Sequence, residues 1–400
     1  MIIDENKVVN FAGGIEKVIC AMANEFVTRG DHLRIVCLDV EKGLPIFPLD
    51  SQVRFVNLAF SYGKPFDDMV WLLKKIEKEF LRTFFGSKMT FFGHAVKDPK
   101  REYFLGQFIR RLRACIHDDP PEIILSVSPT GAWIAQQAAE NIPVIAMCHT
   151  DPVNSGEIHS PTQIDAWKRC ARVQVLLPPF VAMARDMGID RVVQIPNSVK
   201  QIPEEQVADL SECHHRIVSV GRIEGASKRQ HLLVEAFALI ARQYPDWHLE
   251  FYGSVGNKGY MKQFRQAIQK NGLEQQVRYQ GVSQNIPEVL RRSDFIVFTS
   301  RFEGFSIAMT EAMSIGLPVV AYRSCCSIAA MIEDGGTGLL ADDTPESLAD
   351  AMSRMIEHTD LRVQMGANAH TAMKQYAPEI VWGQWNGVLD EVLEEKRLCV

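Results

Sequence analysis

The chain has 400 residues, 46% apolar and 23% charged, more than one hydrophobic core usually organises and close to globular averages; two domains are expected, and disordered, collagenous or coiled-coil chains are excluded. Its 43 Lys and Arg against 49 Asp and Glu leave a net charge of −6, without the overall basic footprint of a nucleic-acid binder. Nine cysteines without a C-x-x-C pair, two of them adjacent at Cys325 and Cys326, argue against a disulfide framework and for a reducing compartment. Asp4 and Glu5 precede any apolar stretch, which does not read as a signal peptide. No apolar window of about 18 residues occurs, so the expected location is the cytoplasm.

In chain order, the first strand is short, Met1-Ile2-Ile3. Gly13-Gly14-Ile15-Glu16-Lys17 then opens a helix running to Thr28. Paired glycines at a helix start suit the approach of a phosphate or acceptor, and Glu16 complements the helix dipole. The stretch 60–115 holds twelve Lys or Arg against six acids, a local +6. Within it Met69, Leu73, Ile76, Phe80 and Phe84 recur at helical spacing, with Lys74, Lys75, Lys78 and Arg82 on other faces and Phe85, Phe91 and Phe92 following. Two readings fit: a membrane-surface helix, or a helix packing its apolar stripe on the domain.

From position 120 a strand (Glu122 to Val127), a helix (Ala132 to Glu140) and a strand (Val144 to Cys148) alternate, the rhythm of a parallel α/β sheet. His149 ends the last of these, where such sheets present ligands, although a lone histidine can also be structural. Polar residues after Val199 place a boundary between domains 1–200 and 201–400. Cys213-His214-His215 there lacks a second ligand pair, so no metal site is expected. The second half repeats the unit: strand Ile217 to Gly221, helix Gln230 to Gln243, strand His248 to Tyr252, helix Met261 to Lys270, strands Val277 to Gln280 and Phe295 to Thr299. Helix Ile307 to Ser314, strand Pro318 to Tyr322 and three helical stretches from Pro345 to Arg397 follow. Gly253 to Gly259 lacks the spacing of a Walker loop, and no G-x-G-x-x-G follows a strand, which argues against a dinucleotide oxidoreductase.

The most informative segment is Ser300-Arg301-Phe302-Glu303-Gly304-Phe305-Ser306-Ile307-Ala308-Met309-Thr310-Glu311-Ala312, a strand end, a tight loop and a helix start. Gly304 permits close backbone approach, and the amides of Phe305, Ser306 and Ile307 at a positive helix end form an anion site suited to a diphosphate. Glu303 and Glu311 flank it; carboxylates beside a phosphate would take hydroxyls, a sugar on one side and a ribose on the other.

Glu303 through Val320 resembles the signature of retaining glycosyltransferases of the GT-B fold, family four (glycosyl transferases group 1). The resemblance is dense from about 216 to 341 and sparse before 120. It implies two doubly wound Rossmann-like domains facing each other across a cleft, with the last helix placed to cross back onto the first. It also implies that Glu303 contacts the donor sugar, Glu311 the ribose, and the amides from Gly304 to Ile307 the diphosphate. Gly221, Arg222 and Lys228 match the residues that neutralise the leaving group without a metal. Gly13 and Gly14 match the glycine loop facing the donor, and His149 matches the histidine near the sugar's primary hydroxyl. Ile195 to Val199 resembles the interdomain crossing only in part, Ser198 and Lys200 standing where the family has glycine and aspartate. The implied activity is retaining transfer from a nucleotide-diphosphate sugar, a UDP-sugar by expectation, to an acceptor hydroxyl. The acceptor would be a lipid-linked glycan, lipopolysaccharide or capsule precursor, with no cofactor, metal or nucleic acid, and with 60–115 resting on the inner face of a membrane. A GT-B-like epimerase or phosphorylase and a catalytically silent sugar-binding protein are the alternatives.

Overall fold

The computed structural model describes residues 1–4, 8–10, 13–62, 68–85, 90–91, 94–95, 98–153 and 160–398. The first seven-stranded sheet contains β1 (Ile2–Asp4), β2 (Arg34–Cys37), β3 (Arg54–Asn57), β6 (Ile124–Ser126), β7 (Val144–Cys148), β8 (Arg172–Val175) and β9 (Val192–Gln194), in the order β3-β2-β1-β6-β7-β8-β9. Two-residue strands β4 (Thr90–Phe91) and β5 (His94–Ala95) form a separate antiparallel pair. The second sheet contains β10 (Arg216–Val220), β11 (His248–Tyr252), β12 (Val277–Gly281), β13 (Phe295–Phe298), β14 (Val319–Tyr322) and β15 (Gly338–Ala341), in the order β12-β11-β10-β13-β14-β15. Both large sheets are parallel throughout.

Helices connect these strands. In the first half they are α1 (Gly14–Thr28), α2 (Asp68–Phe85), α3 (Pro99–Asp118), α4 (Pro129–Ala138), α5 (Pro161–Lys168) and α6 (Pro178–Asp186). In the second they are α7 (Gln230–Ile240), α8 (Lys258–Lys270), α9 (Ile286–Arg291), α10 (Ile307–Ser314), α11 (Cys326–Ala329), α12 (Pro345–Glu357), α13 (Thr359–Ala372) and α14 (Pro378–Leu398). Many begin on a polar cap followed by proline, as Asp98-Pro99, Ser128-Pro129 and Ser160-Pro161 do, the cap oxygen taking a first-turn amide.

Each sheet reverses its winding once, between β1 and β6 in the first and between β10 and β13 in the second. Ligands of doubly wound sheets sit outside the carboxyl ends of strands at such reversals. The short first strand is therefore an inner strand of its sheet at the reversal, shifted one residue from the expected span and fully buried, with Asp4 at its end. No helix of the described residues is long and apolar enough to cross a membrane.

The chain passes twice between the domains. Near the first passage, the Val199 amide donates to the Tyr376 carbonyl at 2.8 Å and Ser314 Oγ donates to the Lys200 carbonyl at 2.6 Å. After the second, α14 lies on the first domain: Val381, Trp382, Trp385 and Val392 join the core of Ile2, Ile19 and Phe26. Arg172 clasps Glu391 and Glu395 there.

The structure bears on one of the two readings of the basic stretch. Leu73, Ile76 and Phe80 of α2 are 57%, 57% and 62% exposed, with Leu72 beside them, so this stripe does not pack on the domain. Lys74 pairs with Glu77, Lys78 with Asp98 and Arg82 with Glu79. The side chains of Met69, Phe84, Phe85 and Phe91, and all of Phe92, lie outside the described residues.

Candidate active site

Three strand ends meet at the cleft. From β10 come Gly221, Arg222 and, after a short turn, Lys228; from β13 come Thr299, Ser300 and the loop to α10; from β7 in the opposite domain comes His149. The first two are laced together by their backbones. The Arg301 amide donates to the Ser227 carbonyl at 2.7 Å, and Thr299 Oγ1 donates to the Lys228 and Arg229 carbonyls at 2.8 and 3.1 Å. The stem of Lys228 lies over Gly221.

Glu303 sits at the centre. Its side chain is 10% exposed, and Oε1 accepts from Lys228 Nζ at 2.5 Å and from Ser300 Oγ at 2.6 Å. The expected partition, with Lys228 on phosphate and Glu303 on sugar, is here a direct ion pair between the two. Such a charge-assisted pair fixes where the carboxylate points.

Gly304 brings the loop directly against the opposite domain. A Cβ built on it would lie 1.9 Å from the His149 carbonyl oxygen, so only glycine lets the loop lie against the end of β7. Phe305 is buried against Tyr376, ring centroids 5.2 Å apart and nearly perpendicular. Ser306 caps α10 without a side-chain capping bond; its buried Oγ has no partner among the described residues. With the first-turn amides from Ile307 onward, it presents donors at a positive helix end.

The second helix end comes from the first domain. Gly13 precedes α1 and Gly14 begins it, and a Cβ on Gly14 would lie 3.2 Å from Ile307 Cδ1, so the N-termini of α1 and α10 face each other. Lys17 Nζ donates to Glu311 Oε1 across this gap, between side chains 47% and 36% exposed. Glu16 does more than complement the dipole. It is buried, its carboxylate accepts from the Gly13 and Glu16 amides, and burial pushes its pKa up to about 7 against the pull of Arg222. Arg222, itself exposed, thus acts across the cleft on a carboxyl of the other domain.

His149 Nε2 is buried and has no partner among the described residues, and burial lowers the ring's pKa to about 4. A neutral imidazole with an unused nitrogen can exchange a hydrogen bond with a hydroxyl. Chemically the site combines two helix N-termini and cations for an anion with two carboxylates and an imidazole for hydroxyls.

Residues 203–372 match the family described as Glycosyl transferases group 1. This stretch is a group 1 glycosyltransferase domain. It contains every residue assigned to the second-domain side of the site, from Gly221 to Glu311. An exopolysaccharide phosphotransferase of Streptomyces coelicolor is 30% identical over 208 residues, covering 52% of this chain and 21% of that one. The chain spans a fifth to about half of the length of the curated relatives it matches. Among solved structures, sucrose-phosphate synthase from Thermosynechococcus elongatus superposes with a TM-score of 0.78 at 17% identity, over 98% of each chain. Anabaena HepE in complex with UDP and glucose superposes at 0.69 and 18% identity, also over 98% of each. The fold is GT-B.

Sequence reading left three contributors unassigned. Ser300 and Lys17 stand within the quoted motifs and were legible as neighbours, Ser300 three residues before Glu303 and Lys17 three after Gly14. Arg229 gave no local signal, because its partners lie about seventy positions away.

Proposed function

We propose that the protein is a retaining, metal-independent glycosyltransferase that moves a hexosyl group from a UDP-sugar to an acceptor hydroxyl. The observation that carries this reading is the meeting of the Glu303–Ile307 loop with Lys228 on one side and the end of β7 at His149 on the other. The group 1 domain and the UDP and glucose bound by Anabaena HepE support a nucleotide-sugar donor.

The diphosphate would lie on the α10 amides and Ser306, with Arg222 and Lys228 holding the charge that develops as the bond from C1 to the phosphate oxygen breaks. Glu303 and His149 would orient the sugar, and Glu311 would take the ribose in exchange for Lys17. In front-face attack the acceptor oxygen bonds to C1 on the side the phosphate leaves, and its proton passes to the departing phosphate oxygen. The anomeric configuration is then kept. Exposed Leu72, Leu73, Ile76 and Phe80 on α2 support an acceptor carried on lipid, a lipid-linked glycan or lipopolysaccharide precursor.

The test is nucleotide release from a panel of UDP- and GDP-sugars, with and without lipid-linked acceptors, and with Glu303→Ala. Acceptor-stimulated UDP release that Glu303→Ala abolishes, giving a product whose anomeric signal matches the donor's, is the expected result. Absence of both donor binding and transfer across the panel overturns the reading.

A further inference from the structure

Arg229 follows Lys228 and leads into α7 with φ 51° and ψ 38°, a left-handed conformation that residues with side chains keep only where their surroundings over-determine it. Its backbone is tied by its amide to the Glu224 carbonyl at 3.2 Å, and its guanidinium reaches further. Nε donates to the Thr299 carbonyl at 2.9 Å and Nη2 to the Ser300 carbonyl at 3.3 Å. Nη1 and Nη2 each reach Asp343 at 3.4 Å, and Ser324 Oγ donates to that carboxylate at 2.7 Å. The guanidinium also lies 5.4 Å from the centre of the Tyr322 ring. The two residues whose carbonyls it takes act back on the site: Thr299 through the Lys228 and Arg229 carbonyls, Ser300 through the Glu303 oxygen that Lys228 also holds.

We propose that Arg229 is a positioning residue, its guanidinium fastening the Lys228 turn to the end of β13 and so setting the Lys228 ammonium against the Glu303 carboxylate. Arg229 touches no reacting atom; it acts through Lys228 and Ser300. A turn that needed only left-handed backbone would be served by glycine, and this separates the proposal from a purely conformational role. The kinetic part of the test rests on the transferase reading; the chemical part does not.

Arg229→Gly keeps the turn at no steric cost and removes the guanidinium, Arg229→Ala removes the guanidinium in a residue that resists the turn, and Arg229→Lys keeps charge without the planar fork. All three should lower kcat by about tenfold or more with a smaller change in donor KM, because Lys228 is needed most where leaving-group charge develops. Arg229→Gly should do so with a thermal midpoint at or above that of Arg229→Ala. Independently of turnover, an amine-specific acylating reagent read by peptide mass spectrometry should modify Lys228 faster in Arg229→Gly than in wild type, with the other lysines in the same digest unchanged. Wild-type kcat in Arg229→Gly, or unaltered Lys228 labelling, overturns the proposal. If wild-type protein turns over no donor, the transferase reading falls and the labelling alone decides the role of Arg229.

Discussion

Glu303 shares one oxygen between a lysine and a serine, so a change at that oxygen tests geometry and charge together. Glu303→Gln preserves shape and removes the anion; transfer should fall by roughly 10²–10³-fold, the usual cost of one preorganised electrostatic group, with the fold intact by circular dichroism. Glu16 offers a pH test. Burial raises its folded pKa from 4.5 to about 7, so the folded chain binds the proton more tightly than the unfolded chain, and this group's contribution to stability declines as pH rises through that window. His149 acts oppositely. Its folded pKa of about 4 lies below the ordinary 6.5, so its contribution is lost as pH falls from 6.5 toward 4. Urea unfolding between pH 5 and pH 7 should show a stability gain for Glu16→Gln over wild type that grows with pH; parallel curves would contradict the burial assigned to Glu16.

At the level of elements, the loop from β13 to α10 is the least tolerant. Gly304→Ala places a methyl where the His149 carbonyl lies, and the loop or the domains must move apart. A misplacement near 1 Å costs about 100-fold in rate, so kcat/KM should fall by that order, with a larger radius of gyration in X-ray scattering. The exposed face of α2 gives a different prediction: Leu73→Ser with Phe80→Ser should weaken flotation with anionic vesicles and leave transfer to a soluble acceptor unchanged. Equal flotation would remove α2 from the acceptor question. The site-bearing elements were largely legible in the sequence. Val144–Cys148, His248–Tyr252, Gly14–Thr28 and Ile307–Ser314 fall on the expected spans, because each is a strongly patterned run bounded by glycine, proline or a polar residue. β3, with Arg54 and Asn57 at its ends, and β9, with Gln194, are too short and too polar for periodicity to mark. The outward stripe of α2 was not decided by its pattern, since an apolar face reads alike whether protein or another phase covers it. The guanidinium of left-handed Arg229 bonds to carbonyls about seventy positions away, which no local pattern marks.

For the whole molecule, α14 makes the first domain's core a product of both ends of the chain. Trp385 is 2% exposed within that core, and Trp385→Ala should destabilise it by about 3–5 kcal/mol, seen by calorimetry as a lowered transition for the first domain. A second domain unfolding independently at its wild-type temperature would agree; two unchanged transitions would not. The two interdomain passages run side by side at Val199 and Tyr376, and Tyr376 rests on Phe305, next to Gly304. Two adjacent straps resist twisting and pulling apart more than bending, so any hinge motion between the domains would pivot here. Because Tyr376 touches Phe305 beside Gly304, any bend at these straps would tilt the loop between β13 and α10 directly, so the angle between the domains and the pitch of that loop are geared to each other.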